Sequence, residues 1–408
     1  MKRIVVNGGR PLGGDIQVSG SKNAALPIIF ACILTNGISE ISNLPDIGDV
    51  SVALGILRDF GAEISRTGNT TYIDTRRLSY REPDRSLVTQ IRASTYLLGS
   101  SLARFGRCPI MAFGGCNFSL RPIDMHIHAC TTLGAYIEGN TLYCDRLRGA
   151  QIRFGKASVG ATVNAILLAA TCDGEVMIDG CAVEPHIDAL IDFLNSCGAS
   201  IIRRGRQTYI RGRELHGGKI NIIGDMIEAG SYLVLGLMSG GNIRITNAPV
   251  GDMASVFMAL TDMGASLHTE GDLLCGGIDR GGFASITAAP FPGFPTDLQP
   301  ITAPLLARHS GGIITDTVWP DRFGYLASLS ILGINSDARG GTARIYPSRS
   351  CCGSVTAPDL RGGMAALISA LCSEGQSEIC SAQTILRGYE GLSDKLSSLG
   401  ADIKISDT

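Results

Sequence analysis

The segment Phe113-Gly114-Gly115-Cys116-Asn117-Phe118-Ser119-Leu120-Arg121-Pro122-Ile123-Asp124-Met125-His126 sets a thiol, a guanidinium, a carboxylate and an imidazole within one expected loop. Two consecutive glycines let the backbone pass close to a ligand, and Pro122 stiffens the chain after Arg121. A thiol beside a permanently charged arginine has a lowered pKa, which makes Cys116 a candidate proton donor or nucleophile near neutral pH. The competing reading is that cysteines are small buried hydrophobes, and this chain holds 13 of them.

Other charged groups interrupt apolar or turn context. Ser21-Lys22-Asn23-Ala24 places a lysine at the start of the first expected helix, where it opposes the helix dipole unless an anion is bound. Arg92 and Arg361 each stand at an apparent helix start, and Arg387 adjoins a glycine near the C-terminus. Lys156-Ala157-Ser158-Val159-Gly160 offers a basic group and a hydroxyl at another helix start, suited to phosphate oxygens. Phe291-Pro292-Gly293-Phe294-Pro295-Thr296-Asp297 surrounds one carboxylate with prolines and aromatics. That setting either raises the Asp297 pKa toward use as a base or makes Asp297 a helix N-cap.

These groups must be held by repeated elements. Six times an apolar, helix-like stretch runs into a glycine and then an apolar strand: at Gly61, Gly134, Gly198, Gly264, Gly333 and Gly400, spaced 64 to 73 residues apart. Glycine there suits the left-handed C′ position that closes a helix. Mixed α/β modules follow, and six of them group naturally into two sets of three.

Composition narrows the rest. A formal net charge of −2 gives no field for nucleic acid, and any anion must be gripped locally. The run from Ala24 to Leu34 is too short to span a bilayer and is broken by Pro27, and the first strand lacks a signal-peptide core, so a cytoplasmic protein is expected. No C-x-x-C pair accompanies His126 and His128, and neither a metal site nor a disulfide framework is indicated.

In order along the chain, Gly20-Ser21-Lys22-Asn23-Ala24-Ala25-Leu26-Pro27, Ile91-Arg92-Ala93-Ser94, Gly114-Gly115-Cys116, Arg121-Pro122-Ile123-Asp124-Met125-His126, Ser158-Val159-Gly160-Ala161-Thr162, Phe294-Pro295-Thr296-Asp297-Leu298-Gln299, Asp359-Leu360-Arg361 and Arg387-Gly388-Tyr389-Glu390 resemble the enolpyruvyl transferases, and within them the branch that uses nucleotide sugars. The resemblance runs the length of the chain. It implies an α/β fold of two inside-out barrels, built from six βαβαββ-type modules with an active-site cleft between domains. One domain would cover residues 22–224, and the other would combine 1–21 with 225–408.

The implied reaction moves the enolpyruvyl group of phosphoenolpyruvate to the 3-hydroxyl of UDP-N-acetylglucosamine with release of phosphate, a step of peptidoglycan precursor synthesis. It needs neither metal nor organic cofactor. By residue, the resemblance makes Cys116 the general acid, also open to covalent attack, and Asp297 the base for the sugar hydroxyl. Lys22, Arg121 and Arg387 would hold the anionic groups of phosphoenolpyruvate, with Arg92 and Arg361 adjoining. Asn23 would face the sugar. Arg121, Pro122, Ile123, Asp124 and Met125, with Lys156, Ser158, Val159, Gly160 and Val318, would line the uridine and diphosphate pocket.

The chain departs from the pattern at Asn117-Phe118-Ser119-Leu120, where a small, glycine-containing stretch is usual, at Met226, where an arginine is common, and at Leu386, where an acidic residue is usual. Two alternatives therefore stand beside the first reading. One is transfer to another uridine nucleotide such as UMP in specialised metabolism. The other is a non-catalytic nucleotide-sugar-binding protein.

Overall fold

The computed structural model describes residues 2–115, 121–278 and 281–407; Cys116, on which the expected acid chemistry rests, lies outside the described residues. Cα proximity divides them into two compact units, one made of residues 20–115 and 121–223, the other of 2–19 and 224–407.

In the first unit, Ala24–Ala31 of the Lys22–Ala31 helix, residues 97–102 of the Leu97–Phe105 helix and residues 161–169 of the Val159–Ala169 helix are buried on every side. The second unit repeats this with residues 227–238 of Met226–Ser239, 299–307 of Gln299–Arg308 and the whole of Leu360–Leu371. A helix apolar all round must be enclosed by other elements. Sheets do this, as in Ile38–Ser42, where Ser39 and Ile41 face the interior.

Five four-stranded sheets share one pattern, a parallel pair at one edge followed by two antiparallel neighbours. In the first unit they are Lys219–Asn221, Ile38–Ser42, Thr70–Asp74, Glu63–Thr67, and Gln151–Arg153, Glu175–Asp179, Gln207–Arg211, Ser200–Arg204. In the second unit one sheet has the order Ser354–Thr356, Gly375–Cys380, Lys2–Gly8, Asp402–Asp407, so the N-terminal strand is flanked by two strands from the far end of the chain. A three-stranded antiparallel sheet, Arg107–Pro109, Thr141–Tyr143, Tyr136–Glu138, has no parallel edge strand among the described residues.

Each of the six glycines expected to close a helix has φ between 84° and 106°. The residue behind it returns a hydrogen bond to the last turn, as in Ala62 N–H to Leu57 O at 3.0 Å and Ala401 N–H to Leu396 O at 3.0 Å. That is the Schellman closure, which satisfies orphan carbonyls and launches the following strand.

The chain passes between the units at residues 19–20 and 223–224. Each passage has a glycine pressed on an asparagine: a Cβ on Gly20 would stand 1.9 Å from Asn43 O, and one on Gly224 1.9 Å from Asn247 O. Both asparagines have left-handed backbones, φ 56° and 58°, and their side chains donate to Ile222 O and Val18 O, each at 2.8 Å. No side chain fits at either passage, so both require glycine.

Candidate active site

In the first unit, Lys22 occupies the first position of its helix beside Asn23, and its Nζ lies 3.2 Å from Asp49 Oδ2 on the Gly48–Asp59 helix. The carboxylate offsets the lysine's opposition to the helix dipole. Arg92 opens a 3-10 turn, Arg92–Tyr96, and donates from Nη2 to the Arg121 carbonyl at 2.6 Å. Burial lowers the Arg92 pKa, and the group stays charged. Gly114 and Gly115 let the chain lie against this turn: a Cβ on Gly114 would stand 2.0 Å from Thr89 O, and one on Gly115 2.8 Å from Arg92 Cβ. The glycine pair thus sets residue 115 against Arg92, whose guanidinium holds the Arg121 carbonyl.

One expectation is corrected here. Asp124, Met125 and His126 do not lie in a loop; they form the first turn of the Asp124–Thr132 helix, with Ile123 as its N-cap and Asp124 favourably placed on the dipole. Arg121, Pro122 and Ile123 lead into this helix without regular secondary structure. His126 is buried, and its ring nitrogen Nδ1 lies 2.6 Å from Nδ2 of buried Asn164. Burial first, and the Arg92 charge second, hold the His126 pKa at about 4, against the ordinary 6.5, while Asp124 pulls weakly the other way.

That shift has a measurable consequence for stability. The folded state favours the neutral ring, so its contribution is complete above the unfolded pKa and is lost as pH falls through the folded one. The gap corresponds to about 3 kcal/mol. Between pH 7 and pH 4, urea unfolding of the wild type is expected to lose that much more stability than His126→Gln. Parallel pH profiles for the two proteins would contradict the assignment.

Lys156, Ser158, Val159 and Gly160 come together at the start of the Val159–Ala169 helix. Ser158 is its N-cap, accepting the Ala161 N–H at Oγ (3.4 Å) and the Thr162 N–H at its carbonyl (2.9 Å). The N–H groups of Val159 and Gly160, in the first turn, have no partner within the helix.

In the second unit, Asp297 sits between two buried guanidiniums, 2.7 Å from Arg322 Nη1 and 3.0 Å from Arg361 Nε. This corrects both readings of the surrounding sequence. The environment is ionic, not apolar, and the N-cap of the Gln299–Arg308 helix is Leu298. Arg322 also donates to Thr296 Oγ1 at 3.2 Å, Thr296 donates to Asp316 Oδ2 at 2.5 Å, and Asp316 Oδ1 accepts the N–H groups of Val318 and Trp319 at 2.9 and 2.7 Å. One chain of bonds therefore fixes both Asp297 and the Val318 backbone.

Arg361 is 2% exposed, in the first turn of its helix behind the N-cap Asp359, with its guanidinium 5.4 Å from the centre of the Tyr389 ring. Burial opposes its charge, but Tyr389, Asp297 and Asp225 outweigh that and raise its pKa. Arg387 caps the short Gln383–Leu386 helix, two residues before Tyr389. Behind them Tyr389 Oη is 2.8 Å from Ser231 Oγ, and Lys395 Nζ is 2.6 Å from both Glu228 Oε1 and Ser19 Oγ.

Sequence reasoning missed Arg322, Asp49 and the Glu228–Lys395 pair. The first had a local signal, an arginine after Pro320-Asp321; the others had none. Among the described residues no cluster of metal-ligating side chains occurs, and no helix is long and apolar enough to cross a membrane.

Comparison with known proteins identifies the family to which the chain belongs. The family model described as EPSP synthase (3-phosphoshikimate 1-carboxyvinyltransferase) matches residues 6–396. UDP-N-acetylglucosamine 1-carboxyvinyltransferase 3 of Caldanaerobacter subterraneus subsp. tengcongensis is 38% identical over 99% of both chains. UDP-N-acetylglucosamine 1-carboxyvinyltransferase 2 of Listeria monocytogenes is 39% identical over 100% of this chain and 98% of its own. The crystal structure of the enolpyruvyl transferase NikO from Streptomyces tendae superposes with TM-score 0.91 at 25% identity, covering 100% of this chain and 99% of that one. EPSP synthase from Acinetobacter baumannii, at TM-score 0.75 and 18% identity over 100% of both chains, shares the mixed α/β fold. Fold and relatives make the protein a transferase of the carboxyvinyl, or enolpyruvyl, class. The chain belongs to the EPSP synthase family.

Proposed function

We propose that this transferase moves the enolpyruvyl group of phosphoenolpyruvate to the 3-hydroxyl of UDP-N-acetylglucosamine, the opening step of peptidoglycan precursor synthesis in the cytoplasm. The observation that carries the acceptor is the near-full-length likeness to two transferases named for it, at 38% and 39% identity. In the addition step, the Cys116 thiol protonates C3 of the enol, the sugar oxygen bonds to C2, and Asp297 takes the hydroxyl proton. In the elimination step, C3 returns a proton and the bond from C2 to the phosphate oxygen breaks. Lys22, Arg121 and Arg387 neutralise phosphate and carboxylate, supported by Arg92 and Arg361. Asn23 meets the sugar. The stretch from Arg121 to Met125, with Lys156, Ser158, Val159, Gly160 and Val318, receives uridine and diphosphate.

The reading includes two domains, 22–224 and 1–21 with 225–408, each an inside-out barrel of three modules. The shared strand pattern of the five four-stranded sheets supports it. A second reading, with another uridine nucleotide such as UMP as acceptor, draws on Phe118 and Leu120, which add bulk between Cys116 and Arg121.

Phosphate release from phosphoenolpyruvate, measured with UDP-N-acetylglucosamine, with UMP and with buffer, and with product masses determined, tests both. Release with the sugar nucleotide alone is expected. Release only with UMP would replace the first reading by the second, and silence with every acceptor despite nucleotide-sugar binding would leave a non-catalytic binding protein.

A further inference from the structure

The strands Ala284–Ala288 and Gly312–Asp316 run parallel with Ala288 beside Asp316, so the loops that leave their C-terminal ends start side by side. The first loop carries Thr296 and Asp297, the second Val318 and Trp319. Both are anchored on the first strand. The Thr317 N–H and hydroxyl donate to Ala288 O at 3.0 and 2.8 Å, and the Ala289 N–H donates to Phe294 O at 3.0 Å. Asp316, 1% exposed, stands where the two loops part.

Its two oxygens divide between the loops. Oδ2 accepts the Thr296 hydroxyl, and Oδ1 accepts the N–H groups of Val318 and Trp319. Donor and acceptor types fix the direction of the first arm. A guanidinium only donates and a carboxylate only accepts, so the single hydroxyl proton of Thr296 is committed to Asp316 and its lone pairs are left for Arg322. Nη1 of Arg322 has two hydrogens, and it donates to Thr296 Oγ1 at 3.2 Å and to Asp297 Oδ1 at 2.7 Å. The backbone of Arg322 is held separately: its carbonyl accepts from Gln299 Nε2 at 3.0 Å, and Gln299 Oε1 accepts the Tyr325 hydroxyl at 2.5 Å. The guanidinium on Asp297 is therefore aimed from both ends, its backbone by Gln299 and its head by Thr296 with Asp316 behind it.

We propose that Asp316 is a positioning residue of the transferase: through Thr296 and Arg322 one of its oxygens sets the orientation of Asp297, while the other sets the backbone at Val318 and Trp319. This role rests on the reading above, in which Asp297 is the base and Val318 lines the acceptor pocket, and it adds a residue that acts through others. A buried, satisfied network of this kind rigidifies what it holds. Sharing one carboxylate between the loops keeps the base and the acceptor-lining backbone in fixed relation before the acceptor arrives, so little reorganisation remains for the reaction itself.

Asp316→Asn and Thr296→Val in the full chain cut the first arm and leave the second. The asparagine oxygen still accepts both N–H groups, but its amide donates to Thr296 and turns the hydroxyl away; valine keeps the shape of threonine without the hydroxyl. Turnover is read by phosphate release and affinity for UDP-N-acetylglucosamine by titration calorimetry. A slight misplacement of a catalytic group costs about tenfold to a hundredfold, so each variant is expected to lose about tenfold or more in kcat while Kd stays within about twofold. Asp316→Ala cuts both arms and is expected to weaken Kd as well, by about tenfold. Since the first two substitutions break the same arm, their double variant is expected to be no slower than the slower single one. Thr296→Ser, which returns the hydroxyl, is expected to recover most of the kcat lost in Thr296→Val.

Wild-type kcat in either Asp316→Asn or Thr296→Val would overturn the proposal. So would losses that multiply in the double variant, or a Kd that weakens in step with kcat, the signs of independent packing effects. Should Asp316→Asn fail to fold, Thr296→Val set against Thr296→Ser makes the same test of the first arm. Failure of the underlying reading looks different: the wild type then releases no phosphate with UDP-N-acetylglucosamine, or Asp297→Asn turns over at the wild-type rate, and the role of Asp316 falls with it.

Discussion

Asp297→Ala is expected to lose both stability and turnover. The carboxylate lies between Arg322 and Arg361, whose side chains are 5% and 2% exposed, at 2.7 and 3.0 Å. Removing one member of a buried ionic cluster leaves the others desolvated and uncompensated, a loss of about 3–5 kcal/mol. Tyr389 and Asp225 still favour the Arg361 charge, which places the expected loss near the lower figure, about 3 kcal/mol. For a unit of this size that lowers the unfolding temperature by roughly 6–12 °C. Asp297→Asn keeps the shape and two acceptor lone pairs, so it is expected to lose less stability while still losing about 100-fold or more in phosphate release, because an amide takes no proton from the sugar hydroxyl. Calorimetric unfolding beside the phosphate assay reads both effects. Wild-type stability in Asp297→Ala would show that the two arginines do not depend on this carboxylate, and wild-type turnover in Asp297→Asn would remove it as the base.

Cys116→Ser is expected to abolish alkylation by the epoxide phosphonate fosfomycin and to lower turnover by about 100-fold or more. The other thiols make the labelling experiment clean. Burial pushes Cys130, Cys197 and Cys372 up to about 12, so at neutral pH they carry almost no thiolate. Cys351 and Cys352 are exposed, with Arg349 two residues before Cys351, and serve as internal controls for non-specific alkylation. Intact-protein mass and peptide mapping would locate the adduct. Label persisting in Cys116→Ser would overturn the assignment. Cys116→Asp is expected to keep part of the turnover while resisting the reagent, because a carboxylic acid donates a proton without offering a thiolate.

Local signals in the sequence served well wherever local forces decide structure. The six glycines that close helices, and the helix starts at Lys22 and Arg361, follow from capping and periodicity within a few residues. The same signals misplaced His126, since Pro122 reads as loop punctuation although the chain turns helical two residues later. Asp297 was misread for a different reason. Its prolines and aromatics are neighbours in sequence, whereas the arginines that set its environment are 25 and 64 residues away. Likewise the Asp49 partner of Lys22 is 27 residues on, and Lys395 meets Glu228 across 167. Ion pairs between distant segments leave no periodicity to read, and they decide which charged groups are held firmly enough to act.

The N-terminal strand has a consequence for biosynthesis. Residues 20–115 and 121–223 hold the whole of one unit between the two glycine passages, so that unit has its strands and buried helices in hand once residue 223 has left the ribosome. The other unit does not, because Lys2–Gly8 lies between Gly375–Cys380 and Asp402–Asp407, with Lys2 opposite Asp407. Its first strand must wait, unpaired on both edges, for on the order of ten seconds or more while the rest of the chain is made. Ile4 and Val6, fully buried once the sheet closes, are exposed throughout that interval. The nascent chain is therefore most open to misassociation at its own beginning, and a short truncation at the far end, by removing Asp402–Asp407, would leave that beginning without one of its two partners.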